Sequence, residues 1–98
     1  MAKTIAEQLA SHFVDFRYDT LTPDTRKAVK RLLLDYLGVG VAGSQTGSGK
    51  IAREFAASTG GYEQATLLGD GRRVPAMQAA LANAISSHSV ELDDIDVL

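Results

Sequence analysis

The chain has 98 residues, a net charge of −2 and 45% apolar residues, enough for one domain with a thin core and too apolar for a disordered chain. It contains no cysteine, which excludes disulfides and thiolate chemistry. No basic run exceeds two residues and no apolar run nears the roughly 18 residues of a membrane span, so neither nucleic acid nor a bilayer is expected as a partner.

The start, MAKTIAEQLA, has no long apolar stretch of the signal-peptide kind, and a cytoplasmic location is expected. Tryptophan is absent. A core made of Leu, Val, Ile and Ala favours helices over a sandwich, because Ala is a strong helix former and a weak strand former.

Thr4 and Glu7 have capping-box spacing, and Ile5, Leu9, Phe13 and Phe16 fall on one helical face, so a first helix is expected over 4–17. Thr22-Pro23-Asp24 is a helix start with a hydroxyl cap, Pro at the first position and an acid in the first turn. Val29, Leu32, Leu33, Tyr36 and Leu37 make its apolar stripe, with Arg26, Lys27, Lys30 and Arg31 opposite. Gly38, Gly40 and Gly43 follow in an apolar segment. If the helix continues to about residue 42, the glycines permit close approach of a neighbouring backbone.

Residues 43–49, GSQTGSG, read as a loop by composition. Ser48 is the expected cap of a third helix over 49–59, with Ile51, Ala52, Phe55 and Ala56 inward and Gly60-Gly61 ending it. Residues 65–68 are short and extended, and Asp70-Gly71 is a turn. Pro75 opens a fourth helix over 75–87, with Met77, Ala80, Leu81, Ala84 and Ile85 on one face. The sum is an all-α, four-helix, bundle-like unit in a single domain over 1–98. Its apolar faces exceed what one thin core needs, which points to a missing partner surface.

Residues 43–51 look like a phosphate loop but fail its spacing. Ser44 stands where the first Gly belongs, and Ile51 where the Mg²⁺-binding hydroxyl belongs. His12 reads as a packing or surface residue. Arg72 and Arg73 either hold an anionic substrate group or sit in solvent.

The end of the chain, SSHSVELDDIDVL, is different. Residues 91–98 carry four acids (Glu91, Asp93, Asp94, Asp96) and no base. The stretch lacks the glycine turn and distal Glu of an EF-hand, and it lacks paired DDxxD spacing. No metal and no cofactor are expected. It is either a solvated tail or ordered chain, since Val90, Leu92, Ile95 and Val97 interleave with the acids. In ordered chain a carboxylate turned inward gains a raised pKa and can serve as a general acid or base.

Three blocks together resemble the N-terminal helical domain of the MmgE/PrpD family, which includes 2-methylcitrate dehydratases, cis-aconitate decarboxylases and iminodisuccinate epimerases. They are Leu33, Leu34, Asp35, Leu37, Gly38, Ala42 and Gly43; then Thr66, Leu68 and Gly69; then Ala79, Ala80, Asn83, His88, Glu91, Asp93 and Asp94. The resemblance implies proton abstraction alpha to a carboxylate of a di- or tricarboxylate, followed by loss of water or CO₂ or by reprotonation. It implies Asp93 or Asp94 as acid or base, His88 as its orienting or shuttling partner, and Asn83 and Glu91 as substrate-binding residues; Arg72 and Arg73, outside the matched motif, are the nearby cations expected to bind the substrate. It also implies a homodimer.

Glu91 stands where the family usually has Asp, and Ile95-Asp96 stand where it often has Thr or His/Trp. These changes lean away from 2-methylcitrate dehydratase. The family's downstream histidine, its lysines and its lid domain have no counterpart in these 98 residues. The expectation is therefore half a site, inert by itself, or alternatively a stand-alone helical interaction module.

Overall fold

A computed structural model describes residues 1–90. In chain order it contains α1 (Ile5–Phe13), a 3₁₀ turn (Tyr18–Thr20), α2 (Pro23–Gly43), α3 (Gly47–Ser58), β1 (Ala65–Thr66), β2 (Arg73–Val74) and α4 (Ala76–His88). Four helices and one tiny sheet match the all-α expectation. The second strand was not foreseen; it pairs antiparallel with β1, Ala65 opposite Val74 and Thr66 opposite Arg73. Internal contacts divide the chain into Met1–Arg31 and Leu32–Leu98.

In the first unit the capping box forms as the spacing predicts. The Glu7 amide donates to Thr4 Oγ1 at 3.2 Å, and the Thr4 amide donates to Glu7 Oε2 at 2.7 Å. That carboxylate, held by the Thr4 amide, is the more acidic for it. α1 ends at Phe13, earlier than the expected 17, because Arg17 and Thr20 bond to one another and start the 3₁₀ turn. Beyond the helix end, Phe16 stacks edge-on with both Phe13 and His12, at 5.2 Å between ring centroids in each case. His12 is thus a packing residue. Thr22 caps α2 as expected, and the Arg26 guanidinium lies 4.2 Å over the Tyr18 ring.

In the second unit α2 runs through its glycines to Gly43. A Cβ on Gly43 would strike the Ser86 carbonyl oxygen of α4, and one on Gly40 would meet Leu68 Cδ1 at 2.6 Å. These two glycines permit the close approach expected of them, whereas Gly38 has open space around it. The expected loop over 43–49 is a three-residue turn. Ser44, fully buried, donates to the Val41 carbonyl at 2.6 Å and accepts from Gln45 Nε2 at 3.0 Å. Thr46, not Ser48, caps α3, accepting from the Gly49 amide at 3.1 Å. Two hydroxyls thus satisfy the backbone of the junction, and the glycines around them are spacers.

The inward faces of α3 and α4 also differ from expectation. α3 buries Gly49, Ala52, Arg53 and Ala56, while Ile51 and Phe55 are 73% and 60% exposed. α4 buries Ala79, Ala82 and Ser86, nearly opposite the expected face of Met77, Ala80, Leu81, Ala84 and Ile85. α3 and α4 meet through small residues, which lets their axes come close. The core is Ala52, Ala56, Leu67, Val74, Ala79 and Ala82. The α2 stripe Val29, Leu32, Leu33, Tyr36 and Leu37 is exposed.

Two substitutions separate the roles of the glycines. Gly43→Ala forces a methyl into a backbone carbonyl and should destabilise by about 3 kcal/mol. Gly38→Ala fills empty space in a helix interior and should stabilise by about 1 kcal/mol. Thermal unfolding followed by circular dichroism reads both signs.

Candidate functional site

The excursion between α3 and α4, residues 59–75, turns back on itself and lies on α4. Positive φ at Gly60, Gly61, Gly69 and Gly71 makes its turns possible. Asn83, on the second turn of α4, grips it. Its Oδ1 accepts from the Leu68 amide at 2.9 Å, and its Nδ2 donates to the Thr66 carbonyl at 3.0 Å. Beside this clamp Leu67 is fully buried. On the far side, Gly69 abuts the Ser44 hydroxyl, a contact that leaves no room for a side chain.

The turn of the hairpin carries a charged network. Arg53 of α3 is 8% exposed, and its Nη1 meets Asp70 Oδ2 at 2.6 Å. Arg72 meets the same oxygen at 2.8 Å and Glu54 Oε1 at 2.7 Å. Asp70 also accepts from the Arg72 amide at 3.0 Å. The side-chain bonds from Arg72, more than any other influence, hold both Asp70 and Glu54 below the ordinary carboxylate range. The same bonds raise the Arg72 guanidinium. Arg53 Nε is buried with no hydrogen-bond partner among the described residues.

The sequence-derived site residues fall in three places. Asn83 and His88 share α4, His88 being its last residue. Arg72 is neutralised by Asp70 and Glu54. Arg73, on β2, donates to the Glu63 carbonyl at 3.3 Å and the Gln64 carbonyl at 3.2 Å. Glu91, Asp93, Asp94 and Asp96 lie outside the described residues. Within the described residues no group of three or more His, Asp or Glu side chains comes together as a metal site would require. Nor is any helix there long and apolar enough to cross a membrane.

Arg53, Glu54 and Asp70 were missed by sequence reasoning. The available signal was Arg53 itself. It shares the Gly49-Ala52-Ala56 face of α3, so a cation on the small-residue side required a buried counter-charge.

The excursion between α3 and α4 is thus pinned by the Asn83 amide and by Arg53 and Arg72. Comparison with known proteins gives the family. The chain belongs to the MmgE/PrpD family: the model of the MmgE/PrpD N-terminal domain matches residues 7–95. Cis-aconitate decarboxylase of Homo sapiens is 30% identical over 95 residues, 96% of this chain and 20% of the relative. Cis-aconitate decarboxylase of Mus musculus is 28% identical over the same length and shares. The chain therefore spans about a fifth of the length of these curated relatives. No solved structure matches it.

Asn83→Asp keeps the acceptor for the Leu68 amide but turns an anionic oxygen toward the Thr66 carbonyl. Both it and Asn83→Ala should lower stability by about 1–3 kcal/mol, with amide exchange at Leu68 accelerated in each. For Asp70 the pKa in the folded state is depressed, so its contribution is present above the ordinary carboxylate range and lost as pH falls through the lowered value. The melting temperature should drop on acidification below about pH 4. Asp70→Asn should lower it at pH 7 and flatten that acid slope.

Proposed function

We propose that this chain forms the N-terminal part of the helical domain of an enzyme that abstracts a proton alpha to a carboxylate of a di- or tricarboxylate. Dehydration, decarboxylation and epimerisation all begin this way and differ in what the enolate then expels or accepts. The observation that carries the reading is the family match over residues 7–95. The relatives named as cis-aconitate decarboxylases support a polycarboxylate as substrate. The cytoplasmic, homodimeric setting expected from the sequence goes with this reading.

In it, Asp93 or Asp94 exchanges the proton and His88 orients or relays it. Asn83 acts one step back, since both ends of its amide are taken by backbone. It fixes the hairpin that carries Arg72 and Arg73. Arg72 enters the site with two carboxylates already on it, so of this pair Arg73 has more charge to offer an anion. Residues 91–98 bring four acids and no base. A polycarboxylate beside them is repelled unless further cations or shared protons compensate. The 98-residue chain is accordingly expected to be inert.

A second reading, a helical interaction module without catalysis, is favoured by the many large apolar side chains left in solvent. Titration of labelled protein with cis-aconitate, up to about 10 mM to reach weak affinities, distinguishes the two. The expected result is amide shifts at Arg73 and over residues 83–94, with no conversion of cis-aconitate, 2-methylcitrate or iminodisuccinate. Conversion would overturn the inertness. Absence of any shift would favour the module.

A further inference from the structure

Of all the Asp and Asn residues in the chain, Asp70 alone is followed by glycine. An Asp-Gly pair is prone to cyclise, because no side chain shields the glycine nitrogen. The Gly71 amide nitrogen attacks the side-chain carbonyl carbon of Asp70 and a C–N bond forms. The nitrogen gives up its proton, and one carboxyl oxygen leaves as water. Water then opens the resulting succinimide. Attack at the side-chain carbonyl restores Asp, and attack at the main-chain carbonyl leaves isoaspartate, whose backbone is one carbon longer. One water departs and one returns, and nothing is oxidised or reduced.

Cyclisation needs a protonated carboxyl, so that water can leave, and a free amide. The hairpin turn withholds both. Asp70 Oδ2 accepts from Arg53 Nη1 at 2.6 Å, from Arg72 Nη2 at 2.8 Å and from Arg72 Nε at 3.0 Å. Oδ1 accepts from the Arg72 amide at 3.0 Å. All four bonds favour the ionised form, the Arg72 side chain contributing most. Glu54 holds Arg72 in place from the other side at 2.7 Å. The Gly71 amide is engaged as well, donating to the Leu67 carbonyl at 3.2 Å.

Isoaspartate at this place would do damage. The Leu67 amide donates to the Arg72 carbonyl at 2.8 Å and closes the turn, while Gly69 abuts the Ser44 hydroxyl. An added backbone carbon lengthens a loop that is fixed at both points. It also moves the carboxylate relative to Arg53, which is 8% exposed. A buried guanidinium that loses its counter-charge is costly.

We propose that Asp70-Gly71 is a latent site of succinimide and isoaspartate formation, and that Arg53 and Arg72, by gripping the Asp70 carboxylate, keep it closed in the folded chain. The clasp then has a chemical task beside its mechanical one. The site ages in the same way whatever substrate the protein takes.

The test ages the 98-residue chain at neutral pH, folded and in concentrated urea. Isoaspartate is read by methyl transfer from labelled S-adenosylmethionine with a protein repair methyltransferase, and peptide mapping locates it. The succinimide shows as a species lighter by one water. The unfolded chain should accumulate isoaspartate at Asp70, and the folded chain several-fold less. Folded Arg72→Ala should age several-fold faster than the folded wild type. Arg72→Lys, which keeps the charge but loses the planar fork, should fall between them, and it decides the matter if the Ala variant shows an unfolded circular dichroism spectrum. Hydrogen exchange of the Gly71 amide separates a lost clasp from an opened turn: the ageing should rise by a larger factor than the exchange. A folded wild type that ages as fast as the unfolded chain would overturn the proposal. So would an unfolded chain that forms no isoaspartate at Asp70, variants that age no faster than wild type, or ageing that rises only in step with Gly71 exchange.

Discussion

Where the end of α2 meets the last turn of α4, Gly43 lies against the Ser86 carbonyl with no space for a methyl group. That crossing seats the end of α2 on a unit whose core is otherwise built from α3, the hairpin and α4. Gly49, at the start of α3, rests on the Gly43 carbonyl itself, so α3 leaves the junction in the one direction the crossing leaves open. The Ser44 hydroxyl, held by Val41 and Gln45, is the surface on which Gly69 sits. The turn of the hairpin is thereby located against α2, while Asn83 locates its first strand against α4. At Gly43 and Gly49 backbone lies on backbone. The positions are set by the absence of side chains rather than by the fit of large ones.

The sequence made some of this legible. The Thr4–Glu7 cap, the Thr22-Pro23 start and the glycines as sites of close approach follow from local chemistry that tertiary context did not override. What misled was the assumption that the largest apolar residues on a helix face the core. α3 and α4 bury their smallest residues and leave Ile51, Phe55, Met77 and Leu81 outside. Periodicity shows that a helix has an apolar face; it does not tell which of two faces is used first when both are to be covered. The β2 strand escaped notice because two residues give no period to detect. Thr46 outcompeted Ser48 as a cap because its hydroxyl also reaches the Gly43 carbonyl, a contact only the tight turn creates.

Of the candidate site, Asn83 was found through its place in a family motif, and the structure adds a concrete task for it. Both polar ends of its side chain are committed to a loop, which explains the need for an amide at this position. A carboxylate has no donor and a hydroxyl has too short a reach. The arginines show the reverse case. Read along the chain, Arg72-Arg73 is an exposed basic pair; in space the two part company. Arg72 joins Arg53, Asp70 and Glu54 in tying α3 to the hairpin turn, while Arg73 lies along the strand edge over two carbonyls.

The tie between Gly43 and Ser86 also has a bearing on how the unit assembles. The capped turn at Thr46 and the hairpin at residues 65–74 are closed by contacts between near neighbours in sequence, and such contacts form early because little chain entropy is lost. The α2–α4 crossing joins the two most distant ends of the unit, across α3 and the hairpin. It yields its packing only once everything between has been shortened by folding. A side chain added there acts on the last closure, leaving the turn and the hairpin free to form and the helices unable to come together.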